Sequence, residues 1–259
     1  MNIKPLTDFL GAEVRNLDIS KTASKELEVQ LSHLLDERQV LLFRDQDLTE
    51  EQYINFASIF ANPVESIMPG HKLKSHPMIS VHSNKTSDGK SLNKMTTPTS
   101  FWHSDSYFSQ NRAKATFLYS KVSPSSGGET WFINMRQAYS NLPADMKSQL
   151  ADKRAIYKNA FKNRPPVQHD IVLRNKHTGE KALYINRVRC LGITGMAEEA
   201  GVNLAQHLYN TTVENTSIYK HRWEDGDIVV WDNPSTMHTA TPIDDSETRV
   251  LHRILTTLA

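Results

Sequence analysis

Gly226-Asp227-Ile228-Val229-Val230-Trp231-Asp232-Asn233-Pro234-Ser235-Thr236-Met237-His238 decides how this chain folds. A turn runs into a short apolar segment rich in β-branched residues, and Asn-Pro then interrupts it. That pattern reads as a buried strand over 227–232. Working outward, the same kind of segment recurs at 115–122, 129–133, 169–174, 182–187 and 249–257. Helical patches lie at 134–152 and 196–213. Many strands separated by turns predict a sandwich or closed double sheet with flanking helices, rather than a parallel α/β fold. No glycine-rich phosphate loop follows any of these strands, so nucleotide binding has no support.

Towards the N-terminus, Leu27, Leu31, Leu34 and Leu35 are spaced for a helix over 24–36. Val40-Leu41-Leu42-Phe43 reads as a buried strand. Thr49, with Gln52 three residues on, marks the start of a second helix. Residues 62–100 differ: Pro63, Pro69, Pro77, Pro98, Asn84, Asp88 and Gly89 break the pattern, and Met78-Ile79-Ser80-Val81 alone suggests a short strand. The rest predicts a long loop, of the kind that often serves as a lid.

The 259 residues are expected to form one domain, 1–259, because all-β folds of this length are common as single units. Thirty Lys and Arg against 29 Asp and Glu leave a net charge of +1, which provides no field for nucleic acid or anionic lipid. Cys190 is the only cysteine, which excludes an intrachain disulfide and cysteine-rich structural zinc. There is no 18-residue apolar stretch and no signal-peptide run. A cytoplasmic protein is expected.

Two motifs carry chemistry. In Trp102-His103-Ser104-Asp105, extended backbone would point residues i and i+2 the same way, so His103 and Asp105 converge as two ligands of one metal need. Taken alone, the pattern also fits polar residues at a strand end, and His238 also fits a hydrogen-bonded structural histidine. After Thr241–Thr248, rich in turn formers, Arg249-Val250-Leu251-His252-Arg253 could double back towards His238. Alternation places Arg249, Leu251 and Arg253 on one face. Two arginines buried there need anions, from ligands or from structural carboxylates.

These spacings resemble the taurine dioxygenase / dichlorophenoxyacetate dioxygenase family of Fe(II)/2-oxoglutarate-dependent dioxygenases. The family has His-x-Asp, a distant His, then Arg at +11 and +15; here these are His103, Asp105, His238, Arg249 and Arg253. Its threonine 27 residues after the first His falls on Thr130 in Gly127-Gly128-Glu129-Thr130. Leu10–Val14, Phe43–Gln46, His177–Asn186 and Trp231–Asn233 resemble family segments in the expected order. The resemblance implies a double-stranded β-helix (jelly roll) and iron on His103, Asp105 and His238. It further implies 2-oxoglutarate held by Arg249 and Thr130, dioxygen as co-reactant, and C–H hydroxylation with release of succinate and CO2. The carboxylate of Asp105 favours oxygenation over halogenation.

For the prime substrate the resemblance implies a small anion, a sulfonate, sulfate or carboxylate, on Arg253. Thr99 stands where taurine enzymes carry Asn, which argues against taurine itself. His71, Tyr184 and Arg189 are further candidates for substrate contact. The alternatives are an amino-acid or amine hydroxylase or desaturase, with Glu65 or Asp88 on the amine, and a non-catalytic metal-binding module. Small-molecule partners are expected, not nucleic acid or membrane; a homo-oligomer, dimer or tetramer, is allowed.

Overall fold

The computed structural model describes residues 1–65, 72–86, 101–161 and 163–258. The first third holds β1 (Asn2–Pro5), β2 (Ala12–Arg15), α1 (Lys25–Arg38), β3 (Val40–Phe43), α2 (Glu50–Ser58), β4 (Asn62–Val64) and β5 (Ser80–Ser83). Then follow β6 (Ala113–Val122), β7 (Thr130–Asn134), α3 (Met135–Ser140), α4 (Ala144–Leu150), β8 (Arg154–Tyr157), β9 (Val167–Asp170), β10 (Val172–Arg174) and β11 (Lys181–Leu183). The last are β12 (Cys190–Ile193), α5 (Glu198–Asn215), β13 (Ile218–His221), β14 (Ile228–Asp232), β15 (Thr236–Ala240) and β16 (Val250–Thr257).

Eight strands form the major sheet, in the order β1-β2-β3-β14-β6-β16-β4 with β5 also against β16. The minor sheet is β13-β7-β15. This is the jelly roll expected for the chain, and strand alternation explains how it closes. On the major sheet Leu41, Phe43, Ala115, Phe117, Ile228, Val230 and Ile254 face one way. They bury against Leu31, Leu34 and Leu35 of α1 and Tyr53 and Phe56 of α2. Val40, Leu42, Leu118, Val229, Trp231 and Leu251 face the other way, where they meet Phe132 and Trp223 of the minor-sheet side. With both faces covered, the central strands read as continuous apolar runs.

Both N-terminal helices are capped, the second as its sequence predicts. The Ser24 hydroxyl accepts from Leu27 N, and Thr49 and Gln52 close a full capping box, each cap worth about 1 kcal/mol. The helical patch 134–152 divides into α3 and α4 at Pro143, which cannot continue a helix. Segment 169–174 is not one strand: it breaks at Ile171 into β9, which pairs with β8, and β10, which pairs with β11. Segment 182–187 leaves its ladder after Leu183. The 62–100 region is only partly loop, because β4 and β5 both add to β16; residues 66–71 and 87–100 lie outside the described residues.

Candidate active site

His238 sits on β15, paired with Phe132 of β7. His103 joins the free edge of β15 as an antiparallel bridge: His103 N donates to His238 O (3.0 Å) and His238 N to His103 O (2.8 Å). The two imidazoles therefore stand side by side, ring centroids 4.3 Å apart. Asp105, two residues on, turns its carboxylate to both: Oδ1 is 3.8 Å from His103 Nε2 and Oδ2 is 3.8 Å from His238 Nε2. One ligand atom from each of the three lies within 4.8 Å of the others, and among the described residues no other such group occurs.

Protonation states follow from the neighbours. His103 Nδ1 is 3.1 Å from the carbonyl of Phe101, which can only accept, so Nδ1 carries the hydrogen and the Nε2 lone pair faces Asp105. Burial pushes the His103 imidazole below its usual range. Burial and the neighbouring His103 take His238 down to about 3, so both rings are neutral. Burial would raise the Asp105 carboxyl, but Arg253, the two histidines and the Thr116 hydroxyl outweigh it and hold the group well below the usual carboxylate range. Arg253 Nη2 donates to Asp105 Oδ1 at 2.6 Å and Thr116 Oγ1 to Oδ2 at 2.6 Å. Two neutral imidazoles and one ionised carboxylate are the donor set that a divalent iron site with open positions requires.

Arg249 is buried just before β16, four residues ahead of Arg253. Its Nη1 donates to the Gly128 carbonyl at 2.7 Å, and its Nε has no hydrogen-bond partner among the described residues. Burial alone pulls the guanidinium down to about 10, and no carboxylate among the described residues pairs with it. The Gly127-Gly128 turn makes this approach feasible. Both glycines have positive φ (71° and 68°), and a Cβ on Gly127 would sit 2.8 Å from the Pro242 carbonyl. Just beyond the turn, the buried Thr130 hydroxyl accepts from Trp223 Nε1 at 3.1 Å, so its own O–H remains available to donate.

The family description for taurine catabolism dioxygenases, TauD and TfdA, matches residues 2–255. The chain belongs to the TauD/TfdA family. It is 31% identical over 279 residues to the alpha-ketoglutarate-dependent 2,4-dichlorophenoxyacetate dioxygenase of Cupriavidus pinatubonensis, covering 97% of this chain and 96% of that protein. It is 26% identical over 297 residues to an alpha-ketoglutarate-dependent sulfate ester dioxygenase of Pseudomonas putida, covering 98% and 88%. The crystal structure of AAD-2 in complex with Mn(II) and N-oxalylglycine superposes with a TM-score of 0.85 at 26% identity, covering 100% of this chain and 98% of that one.

The other expected residues are dispersed around this TauD/TfdA core. Tyr184 is fully buried in a core cluster with Tyr107, Tyr157 and Leu183, with a hydroxyl lacking a partner among the described residues. Arg189 is exposed, lies over the Phe108 ring, and is not brought to the triad. His71 and Thr99 lie outside the described residues, as does Asp88, while Glu65 is paired with Lys72 at 2.7 Å. Trp223 and Trp231, read from the sequence as core, are core, yet both touch the site: Trp223 through Thr130, Trp231 through a ring contact of 4.6 Å with His238.

Sequence reasoning missed the side chains that hold the His-x-Asp backbone. Trp102 N donates to Tyr209 Oη at 3.0 Å, Ser104 N to Asn186 Oδ1 at 2.9 Å and Asp105 N to Asn233 Oδ1 at 2.9 Å. With His103 N on His238, four consecutive amides are held by four separate segments. The order of Trp231-Asp232-Asn233 just before His238 was the one available signal.

Proposed function

We propose that this chain is an Fe(II)- and 2-oxoglutarate-dependent dioxygenase that hydroxylates an unactivated C–H bond of a small anionic substrate, with His103, Asp105 and His238 as iron ligands. The carrying observation is the cluster of two neutral histidines and one ionised aspartate, together with a buried arginine, Arg249, that lacks an anion among the described residues. Both halves of the cofactor requirement are met: a facial donor set for the metal and a cation for a carboxylate. When bound, iron and 2-oxoglutarate supply dioxygen activation and, through loss of CO2 and formation of succinate, the oxidising power for the hydroxylation.

The protein's own groups bind and orient. Arg249 offers its free Nε–H to the distal carboxylate of the cosubstrate, and Thr130 offers its hydroxyl hydrogen. Arg253 spends one Nη2 hydrogen bond on Asp105 and remains partly exposed, so its other donors can take the substrate anion next to the metal. Relatives named for 2,4-dichlorophenoxyacetate and for sulfate esters support an anionic substrate. In the amine alternative, Glu65 would first have to leave Lys72.

We read the chain as one domain whose partners are small molecules. A cytoplasmic location belongs to the same reading, supported by the single cysteine, and a dimer or tetramer is compatible with it. Among the described residues no helix is long and apolar enough to cross a membrane. The test is succinate release with Fe(II), 2-oxoglutarate and dioxygen over a panel of sulfonates, sulfates, aryloxyacids and amino acids. We expect turnover with at least one of the first three classes. Turnover with amino acids alone would overturn the anionic-substrate reading. No visible band on anaerobic mixing of Fe(II) and 2-oxoglutarate would overturn the enzyme reading itself.

A further inference from the structure

The Asp105 carboxylate is gripped by a closed ring of hydrogen bonds that begins and ends on Asp105 itself. Its amide N donates to Asn233 Oδ1 (2.9 Å); Asn233 Nδ2 donates to Thr116 Oγ1 (2.8 Å); Thr116 Oγ1 donates to Asp105 Oδ2 (2.6 Å). All three residues are buried. Asn233 Oδ1 also accepts from Trp231 Nε1 (3.2 Å), which fixes which end of the amide is oxygen. Thr116 has one hydrogen, and because it accepts from Asn233 that hydrogen is directed to Asp105. Thr116 in turn is fixed by its strand: it lies on β6 opposite Trp231 of β14 and Leu255 of β16, in the middle of the major sheet. Each ring bond therefore has one polarity.

We propose that Thr116 and Asn233 are positioning residues that hold Asp105 in its metal-binding rotamer before any metal arrives. Nothing in their spacing, 117 residues apart, marks them as a pair. Free in water, an aspartate side chain samples several rotamers and both orientations about its terminal bond. Here the major sheet, through Thr116, and the turn after β14, through Asn233, fix the backbone and the carboxylate of Asp105 together. Outer partners of this kind typically govern metal affinity by 10–100-fold. The inference rests on the iron-site reading above, and the test separates the two.

The experiment is titration of metal-free protein with Co(II), read by its visible ligand-field bands, with the melting temperature of each metal-free variant measured alongside. The variants are Thr116→Val, Thr116→Ser, Asn233→Ala, the Thr116→Val/Asn233→Ala double, and His103→Ala. We expect wild type to bind and His103→Ala not to bind. Thr116→Val and Asn233→Ala should each weaken Co(II) binding by tenfold or more. Thr116→Ser, which keeps the hydroxyl, should stay within threefold of wild type. The double should be no weaker than the worse single, because either change opens the same ring. Equal binding by wild type and His103→Ala would remove the metal site itself. If His103→Ala fails to bind but Thr116→Val binds like wild type, the metal site stands and the positioning role falls. Losses that multiply in the double would refute the ring as a unit. A lower melting temperature with unchanged Co(II) affinity would make both residues merely structural. Should Asn233→Ala not fold, the Thr116→Val and Thr116→Ser pair decides alone.

Discussion

Replacing Arg249 by Gln should separate cosubstrate binding from stability in opposite directions. In the ligand-free protein this guanidinium is buried, has one hydrogen bond to Gly128, and is pulled from 12.5 to about 10 by burial alone. At 1.36 kcal/mol per pKa unit, that displacement corresponds to about 3 kcal/mol of unfavourable burial. A glutamine amide stops two bonds short of Gly128 and gives up that hydrogen bond, about 1 kcal/mol. It removes the larger cost of the buried charge, so the free variant should melt at or above the wild-type temperature. With 2-oxoglutarate bound the balance reverses, because the carboxylate now lacks its cation. Breaking a buried pair costs about 3–5 kcal/mol, on the order of a hundredfold or more in dissociation constant.

The assay is anaerobic thermal shift with Mn(II) and graded 2-oxoglutarate. At 100 times its dissociation constant, the cosubstrate stabilises wild type by about 2.7 kcal/mol, or roughly 5–10 °C for a chain of this size. At the same concentration the variant, bound a hundredfold more weakly, gains about 0.4 kcal/mol and roughly 1 °C. A variant with 2-oxoglutarate affinity within twofold of wild type would place the cosubstrate elsewhere. One that melts far below wild type without ligand would mean that the charge is compensated in a way the geometry does not show.

Thr130→Val should weaken 2-oxoglutarate by about 1–3 kcal/mol, less than Arg249→Gln, because one donor is lost and the cation stays; competition titrations against the same Mn(II) complex measure it. Gly127→Ala should destabilise the protein by about 1–3 kcal/mol, since its φ is positive and the added carbon meets the Pro242 carbonyl; a denaturant midpoint equal to wild type would contradict this. Burial depresses His169 and His221, both outside the metal cluster. In the unfolded chain they protonate near pH 6.5, so unfolding takes up protons below that value and stability falls as the solution is acidified. The slope is at most about 1.4 kcal/mol per pH unit for each histidine. Urea midpoints of chelator-treated protein that stay flat from pH 6.5 to 4.5 would refute it. Arg253→Gln should raise the KM for the acid substrate tens-fold or more, with the 2-oxoglutarate KM moving much less; an unchanged substrate KM in a destabilised enzyme would confine Arg253 to holding Asp105.

The triad and its arginines were legible because they are encoded by short-range regularities. Asp105 lies two positions after His103, and Arg249 and Arg253 lie 11 and 15 positions after His238. Most helix starts were legible for the same reason, since caps are local. What was not legible is non-local. Nothing in Ile228–Asp232 says that β14 lies between β3 and β6, or that Thr116 is carried to Asp105 and Asn233. Thr116 alternates with Phe117 on β6, so its inward direction could be inferred, but its partner required the sheet order. The break at Ile171 was hidden too, because two short strands in different sheets give one continuous apolar pattern.

The charge balance of the site points independently to an anionic substrate. Among the described residues, the proposed metal and cosubstrate side chains carry one negative charge, on Asp105, and two positive ones, on Arg249 and Arg253, while both histidines are neutral. A divalent metal and a doubly charged 2-oxoglutarate cancel each other, so the loaded site still holds one more positive charge than negative. In a site sheltered from water that surplus is costly unless an anion accompanies it. A monoanionic acid would supply that charge, and Arg253, already fixed on one side by Asp105, would receive it beside the proposed metal ligand. A neutral substrate would leave the surplus in place. The proposed preference for acids therefore draws on the net charge of these residues as well as on any single contact.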